Sequence, residues 1–164
     1  MASSLKNLSD HDPNSVPNAA GMRIGVVVSE WNTEITEALF NGVHDTLKKY
    51  GVASEDVVRR NVPGSFELTL GAQLMAERNE FDAIICIGVV IQGETKHFDF
   101  ICEAVGQGIT NLNIKYDLPV IFGVLTPNTM QQARDRCGGI HGNKGDEAAI
   151  TAIKMAALKR ELGQ

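Results

Sequence analysis

The chain has 164 residues, 43% of them hydrophobic and 21% charged, a length and balance that suit a single globular domain with a sizeable core. A formal net charge of -5 argues against an extended surface for nucleic acid or anionic membrane, while leaving room for a local basic pocket, so the expected partners are small molecules. Cys86, Cys102 and Cys137 are odd in number and far apart, and the four histidines are scattered, a pattern of reduced cytosolic thiols in which neither a disulfide nor a metal site is expected.

Residues 1–20 are polar and broken by Pro13 and Pro17, and are expected to form a flexible arm outside the core, free to dock on a neighbour, ahead of a single domain over residues 21–164. The arm lacks an apolar stretch of signal-peptide length, and no apolar run in the chain is long enough to span a bilayer, so the cytoplasm is the expected location. Ile24 to Ser29 reads as a strand, and residues 34–50 as a helix with Ile35, Leu39, Val43 and Leu47 at i, i+4 steps. A strand over 56–62 follows, then the turn Pro63-Gly64-Ser65 and a helix over 66–78 with Leu70 and Leu74 on one face. Residues 82–91 read as a strand buried on both faces, and residues 97 to about 115 as a helix with Thr95 as its N-cap. A strand over 119–125 and two helices, about 128–137 and 144–161, complete the chain. Four strands alternating with helices through short links specify a three-layer α/β/α sandwich with a four-stranded parallel sheet of flavodoxin-like topology.

In such a sheet ligands collect beyond the carboxyl ends of the strands. The most informative strand end is Gly88 to Asp99, where an apolar strand runs into the polar turn Gln92-Gly93-Glu94-Thr95 and then His97. A helix start offers backbone N–H groups to an anion, and an imidazole can give and take a proton beside it. Trp31, the only tryptophan, follows the first strand and is either core filler or a stacking platform for a planar ligand, and Phe66 has the same two readings. Glu67 is either a helix-start residue or an acceptor for a heterocycle. Phe122 reads as core from periodicity alone. Arg134 and Arg136 precede a glycine-rich, basic segment, residues 138–145, that either closes on a phosphate or merely connects two helices. His11, His44 and His141 read as surface residues.

Several chemistries are absent as patterns. The glycines before Lys144 do not have Walker A spacing, no G-x-G-x-x-G follows a strand, and no G-x-S-x-G elbow occurs.

Taken together, Trp31-Asn32, Pro63-Gly64-Ser65-Phe66-Glu67, Gly93-x-Thr95-x-His97-Phe98-Asp99, Phe122-Gly123-Val124-Leu125-Thr126 and Gln132-Ala133-x-x-Arg136 followed by Gly142-Asn143-Lys144-Gly145 resemble the 6,7-dimethyl-8-ribityllumazine synthase family, from about Met22 to Leu158. The resemblance implies condensation of 5-amino-6-(D-ribitylamino)uracil with 3,4-dihydroxy-2-butanone 4-phosphate, with no metal or other cofactor. It implies that Trp31 stacks on the pyrimidine, that Ser65, Phe66 and Glu67 hold the ring and ribityl chain, that Val89, Val90 and Ile91 add main-chain contacts, and that Phe122 of an adjacent subunit closes the other face. It further implies that Glu94 and Thr95 face the phosphate with Arg136 and Lys144, and that His97 shuttles protons. Members form homo-oligomers built from pentamers with sites between subunits. The short link from Arg136 to Lys144, like that of shell-forming members, leads to an expected sixty-subunit shell. Two alternatives stay open: the archaeal type of riboflavin synthase, which needs no phosphate site, and a flavodoxin-like FMN carrier, for which the loop after the first strand is poorly suited.

Overall fold

Runs of β-branched and aliphatic residues dictate the centre of the molecule. The computed structural model describes residues 6–163. Strands β1 (Ile24–Ser29), β2 (Val57–Val62), β3 (Ala83–Val89) and β4 (Val120–Leu125) form one parallel sheet in the order β2-β1-β3-β4. Every residue of β1 and β3 is buried, as expected for central strands covered on both faces. The helices are α1 (Thr33–Lys49), α2 (Leu68–Ala76), α3 (His97–Tyr116), α4 (Met130–Arg134) and α5 (Lys144–Glu161).

Alternation along the strands divides the core in two. Ile24, Val26, Val28, Ile85, Ile87 and Ile121 point to the layer containing Leu39 and Val43 of α1 and Ala149 and Ile153 of α5. Val27, Ile84, Cys86 and Val124 point to the layer containing Leu68 and Ala72 of α2 and Val105 and Ile109 of α3. Each fully buried Ile or Leu stabilises the fold by about 1.5–3 kcal/mol. The three-layer sandwich and its flavodoxin-like strand order are thus as the sequence predicts.

The two sheet edges differ. Edge strand β2 is blunted by Arg59 and Arg60. Arg59 forms an ion pair with Glu37, lies over the Phe40 ring at 4.4 Å, and holds the Glu37 carboxyl below its usual range through that hydrogen bond. Edge strand β4, Val-Ile-Phe-Gly-Val-Leu, has no charge and exposes Phe122.

Four details depart from the sequence reading. In α2 the buried side chains are Leu68, Ala72, Met75 and Ala76, whereas Leu70 and Leu74 share a face that points outward, because the helix meets the sheet with its Leu68–Ala72–Met75 face. The helix expected over 128–137 is only five residues long, and residues after it pair as an antiparallel hairpin, β5 (Cys137–Gly139) with β6 (Gly142–Asn143). That hairpin occupies most of the glycine-rich segment over 138–145, which the sequence leaves as a phosphate-closing loop or a plain link between helices. Finally, the arm is exposed along most of its described length but reaches the interior at Leu8, Val16 and Ala19. Val16 and Ala19 belong to the buried layer of α1 and α5, Ala19 N donates to Tyr50 O at 2.8 Å, and His11 bonds the Tyr50 hydroxyl. Residues 1–5 lie outside the described part. Among the described residues no helix is long and apolar enough to cross a membrane.

Candidate active site

Strand order reverses between β1 and β3, because the chain leaves β1 towards β2 on one side and returns to β3 on the other. Crevices of this kind open at such a switch point. Here a cavity of about 520 Å³ is lined by Trp31, Asn32, Gly64, Ser65, Phe66, Glu67, Val89, Val90, Ile91, His97 and Ile101. The crevice walls are extensions of the sheet. Glu30 N and Trp31 N donate to Val62 O and Pro63 O at 2.8 and 3.2 Å, continuing the β1–β2 ladder, while Val90 N donates to Leu125 O at 2.8 Å.

The side chains fall into distinct roles. Trp31 is 73% exposed, which removes the core-filler reading and leaves a ring free to stack. Asn32 adopts φ 61, a left-handed turn that Asn tolerates, and so turns the chain from Trp31 into α1. Phe66 is likewise exposed. The expected helix start at Phe66 is replaced by one at Leu68, with Glu67 in the cap position but without a side-chain cap bond, so its carboxylate remains available within the cavity. Ser65 is buried and its hydroxyl donates to Val89 O at 3.2 Å. It ties the β2–α2 turn to the end of β3 and thereby positions the wall.

His97 is the first residue of α3 and is exposed into the cavity. The cap position belongs to Lys96 rather than Thr95. The Thr95 hydroxyl instead accepts from His97 N at 3.4 Å. Glu94 and Thr95 are exposed on the loop from β3 to α3 and line neither cavity described here. Ile101 was not anticipated, although it lies one helical turn beyond His97 and the i, i+4 step would have found it.

The cationic residues are elsewhere on the chain. Phe122, Arg136 and Lys144 line a second cavity of about 340 Å³ with Leu8, Val124, Leu125, Thr126, Pro127 and Gln132. The reading of Phe122 as core from periodicity is therefore corrected: it is 37% exposed on an edge strand. Arg136 donates to Gln132 O at 3.1 Å and pairs with no carboxylate among the described residues. Lys144 pairs with Glu147 at 2.5 Å, so part of its charge is already neutralised. Lys144 N donates to Arg136 O at 2.8 Å, holding the two cationic residues side by side. Arg134 instead reaches Glu34 in α1 with two hydrogen bonds of 2.8 and 3.1 Å, and holds that carboxyl below its usual range.

No cysteine is an activated nucleophile. Burial pushes the Cys86 thiol up to about 12, and also raises Cys102 and Cys137. Among the described residues no cluster of three His, Cys, Asp or Glu side chains has metal-binding geometry.

A doubly covered parallel sheet, with a switch-point crevice combining aromatic rings, a carboxylate and an imidazole, has the make-up of an enzyme site able to take a planar small molecule. Comparison with known proteins is more specific. Residues 21–160 match the family of 6,7-dimethyl-8-ribityllumazine synthase. The protein of that name from Parabacteroides distasonis is 59% identical over 155 residues, 94% of this chain and 97% of its own. Those from Flavobacterium johnsoniae and Christiangramia forsetii are 58% and 57% identical, over 98% of this chain and 85% and 96% of theirs. This chain belongs to the 6,7-dimethyl-8-ribityllumazine synthase family.

Proposed function

We propose that this protein is a 6,7-dimethyl-8-ribityllumazine synthase of riboflavin biosynthesis, a transferase that condenses 5-amino-6-(D-ribitylamino)uracil with 3,4-dihydroxy-2-butanone 4-phosphate and releases phosphate and water. The observation that carries this reading is the meeting of Trp31, Phe66, Glu67 and His97 in one switch-point crevice, within a chain matching the family over residues 21–160.

The crevice suits the aminouracil. Trp31 and Phe66 offer ring faces, Glu67 accepts hydrogen bonds from the heterocycle or ribityl chain, and the main chain of Val89, Val90 and Ile91 provides the polar edge of the β3 end. The cavity of Arg136 and Lys144 suits the phosphate, with Arg136 supplying the forked guanidinium and Lys144 a charge shared with Glu147. From the β3–α3 loop, outside both cavities of the single chain, Glu94 and Thr95 offer backbone or hydroxyl donors to the phosphate. In the reaction the 5-amino nitrogen attacks the ketone carbon, water leaves as the imine forms, and phosphate is eliminated. The resulting enol tautomerises to a ketone, which the ribitylamino nitrogen attacks to close the ring with loss of a second water. His97 moves protons in these steps, and Arg136 stabilises charge on the departing phosphate. The sequence is redox-neutral and needs no cofactor, and holding two reactive molecules together supplies much of the rate.

The two cavities make one site by assembly. The uncharged edge strand β4 exposes Phe122, and Leu70, Leu74, Phe100 and Ile114 are each more than half exposed, an apolar surface that subunit contact would cover. A cyclic homo-oligomer sets the His97 crevice of one subunit against the Arg136 cavity of the next, and pentamers of this kind assemble further into a sixty-subunit shell. Light scattering that finds a stable pentamer at working concentration removes the shell. The expected location is the cytoplasm, in keeping with three free thiols.

The direct test supplies both substrates to the purified protein and follows lumazine absorbance together with phosphate release. Lumazine formed in step with phosphate is expected. A flavin carrier would produce neither, and a riboflavin synthase of the archaeal type would consume lumazine without releasing phosphate. Within this site, Trp31→Ala is expected to weaken aminouracil binding by about 1–3 kcal/mol with little effect on butanone phosphate, whereas Trp31→Phe is mild. Separate titrations of the two substrates check this, and equal losses for both would remove Trp31 as a platform.

A further inference from the structure

Leu8 and Ser9 have no place in the chemistry above, yet Leu8 borders the anion half of the site and Ser9 the hairpin beside it. Leu8 is buried and its side chain lines the cavity of Phe122, Arg136 and Lys144. Its N–H donates to His141 O at 2.7 Å, and the Ser9 hydroxyl oxygen accepts from Asn143 N at 2.9 Å. Asn7 Oδ1 accepts from Ser9 N at 2.9 Å, closing a local turn over the hairpin. The approach is so close that a Cβ at Gly142 would stand 2.8 Å from both Ser9 N and Ser9 Oγ, and Gly142 also has φ +77, so no other residue fits there.

These contacts matter because the hairpin cannot hold itself. β5 and β6 contribute three and two residues, far too little for an independent pair. Arg136 immediately precedes β5 and Lys144 immediately follows β6, so whatever fixes the hairpin fixes the two cationic residues. On its inner side Asn143 Nδ2 donates to Ala38 O of α1 at 3.0 Å. The N-terminal segment adds the bonds of Leu8 N and Ser9 Oγ to the two ends of the turn, beside the one that His141 N donates to Asp135 O at 2.8 Å. That segment is itself anchored, through His11 to Tyr50 and through Lys154 Nζ to Ser15 Oγ at 3.0 Å.

We propose that residues 7–9 clamp the β5–β6 hairpin so that Arg136 and Lys144 keep the spacing that binds a phosphate ester, with Leu8 as the apolar wall of that subsite. Leu8 and Ser9 are positioning residues, and the clamp acts within the chain that carries Arg136. The inference rests on the assignment of this cavity to butanone phosphate.

The test uses the full chain with Leu8→Ala, Ser9→Ala and the conservative Leu8→Ile. It measures the KM of each substrate, and the affinity for inorganic phosphate by direct titration. Each alanine variant is expected to raise the KM for butanone phosphate and the phosphate dissociation constant on the order of tenfold, with the aminouracil KM within about twofold, since small misplacements of binding groups act at their own subsite. Leu8→Ile is expected to restore both. Unchanged phosphate affinity, or equal shifts in both KM values, overturns the clamp. Should Leu8→Ala fail to fold, Leu8→Val takes its place and must show the same one-sided shift. A wild-type protein that forms no lumazine overturns the reaction assignment instead, and the phosphate titration then decides the clamp alone.

Discussion

Arg136→Ala is expected to lower kcat/KM by roughly 10²- to 10³-fold, with the loss concentrated in butanone phosphate, because removing a preorganised donor to a developing anion has an effect of that size. Arg136 is the better placed of the two cationic residues. Its guanidinium is held by Gln132 O and is unpaired with any carboxylate among the described residues, whereas Lys144 is tied to Glu147. Arg136→Lys keeps the charge but loses the fork and is expected to recover only part of the activity. His97→Ala is expected to cost about 10²-fold, the low end for a general acid–base. If the two groups serve one site from two subunits, the variants must complement one another. Unfolding Arg136→Ala and His97→Ala proteins together and refolding them in equal amounts should place both native groups at roughly a quarter of the sites in a cyclic ring. Activity should approach that fraction of wild type, while separately refolded variants mixed without exchange should show only the average of two weak activities. A co-refolded sample, verified as mixed by mass spectrometry, that does no better than that average assigns both groups to one chain and rejects the shared site.

The largest expected effect on stability comes from the crossing of α1 and α5. A Cβ at Gly145 would stand 2.0 Å from Leu39 O and 3.0 Å from Asn143 Oδ1. The first of these is backbone, so the clash is relieved only by moving one helix off the other. Asn143 is also committed there, because its Oδ1 accepts from Gly145 N at 2.8 Å as the cap of α5 while its Nδ2 reaches Ala38 O. Gly145→Ala is therefore expected to destabilise the fold by about 3 kcal/mol, the upper end for forced overpacking. That corresponds to a fall in Tm of roughly 6–12 °C for a chain of this size. Denaturant titration and thermal melting check the value. A midpoint unchanged within error means that the helices separate without cost and that the crossing is not tightly packed.

The architecture was legible in the sequence because a strand buried on both faces needs a continuous apolar run, and β3 supplies one from Ala83 to Val89. Short polar links between such runs and helical segments leave a parallel sheet as the only economical arrangement, and the loops after its strands then mark the site. Trp31, Ser65, Phe66, Glu67 and His97 lie in those loops, Val89, Val90 and Ile91 were added by the family resemblance, and the structure gathers all eight in one crevice. Only the tertiary structure decided how each of them is used. Periodicity records that Leu70, Leu74 and Phe122 are apolar and regularly spaced, but not which face of a helix or edge of a sheet meets a neighbour. All three turn outward. Composition identifies residues 1–20 as polar and proline-broken, but not that Val16 and Ala19 join the apolar layer of α1 and α5 or that Leu8 is buried. Likewise the separation of Arg136 from His97 into two cavities, the engagement of Lys144 by Glu147 and the hairpin over 137–143 all arise from contacts between segments distant in sequence or from bonds that local pattern does not specify. Local sequence determines what a segment is able to bury, and the packing of the whole chain determines what it buries it against.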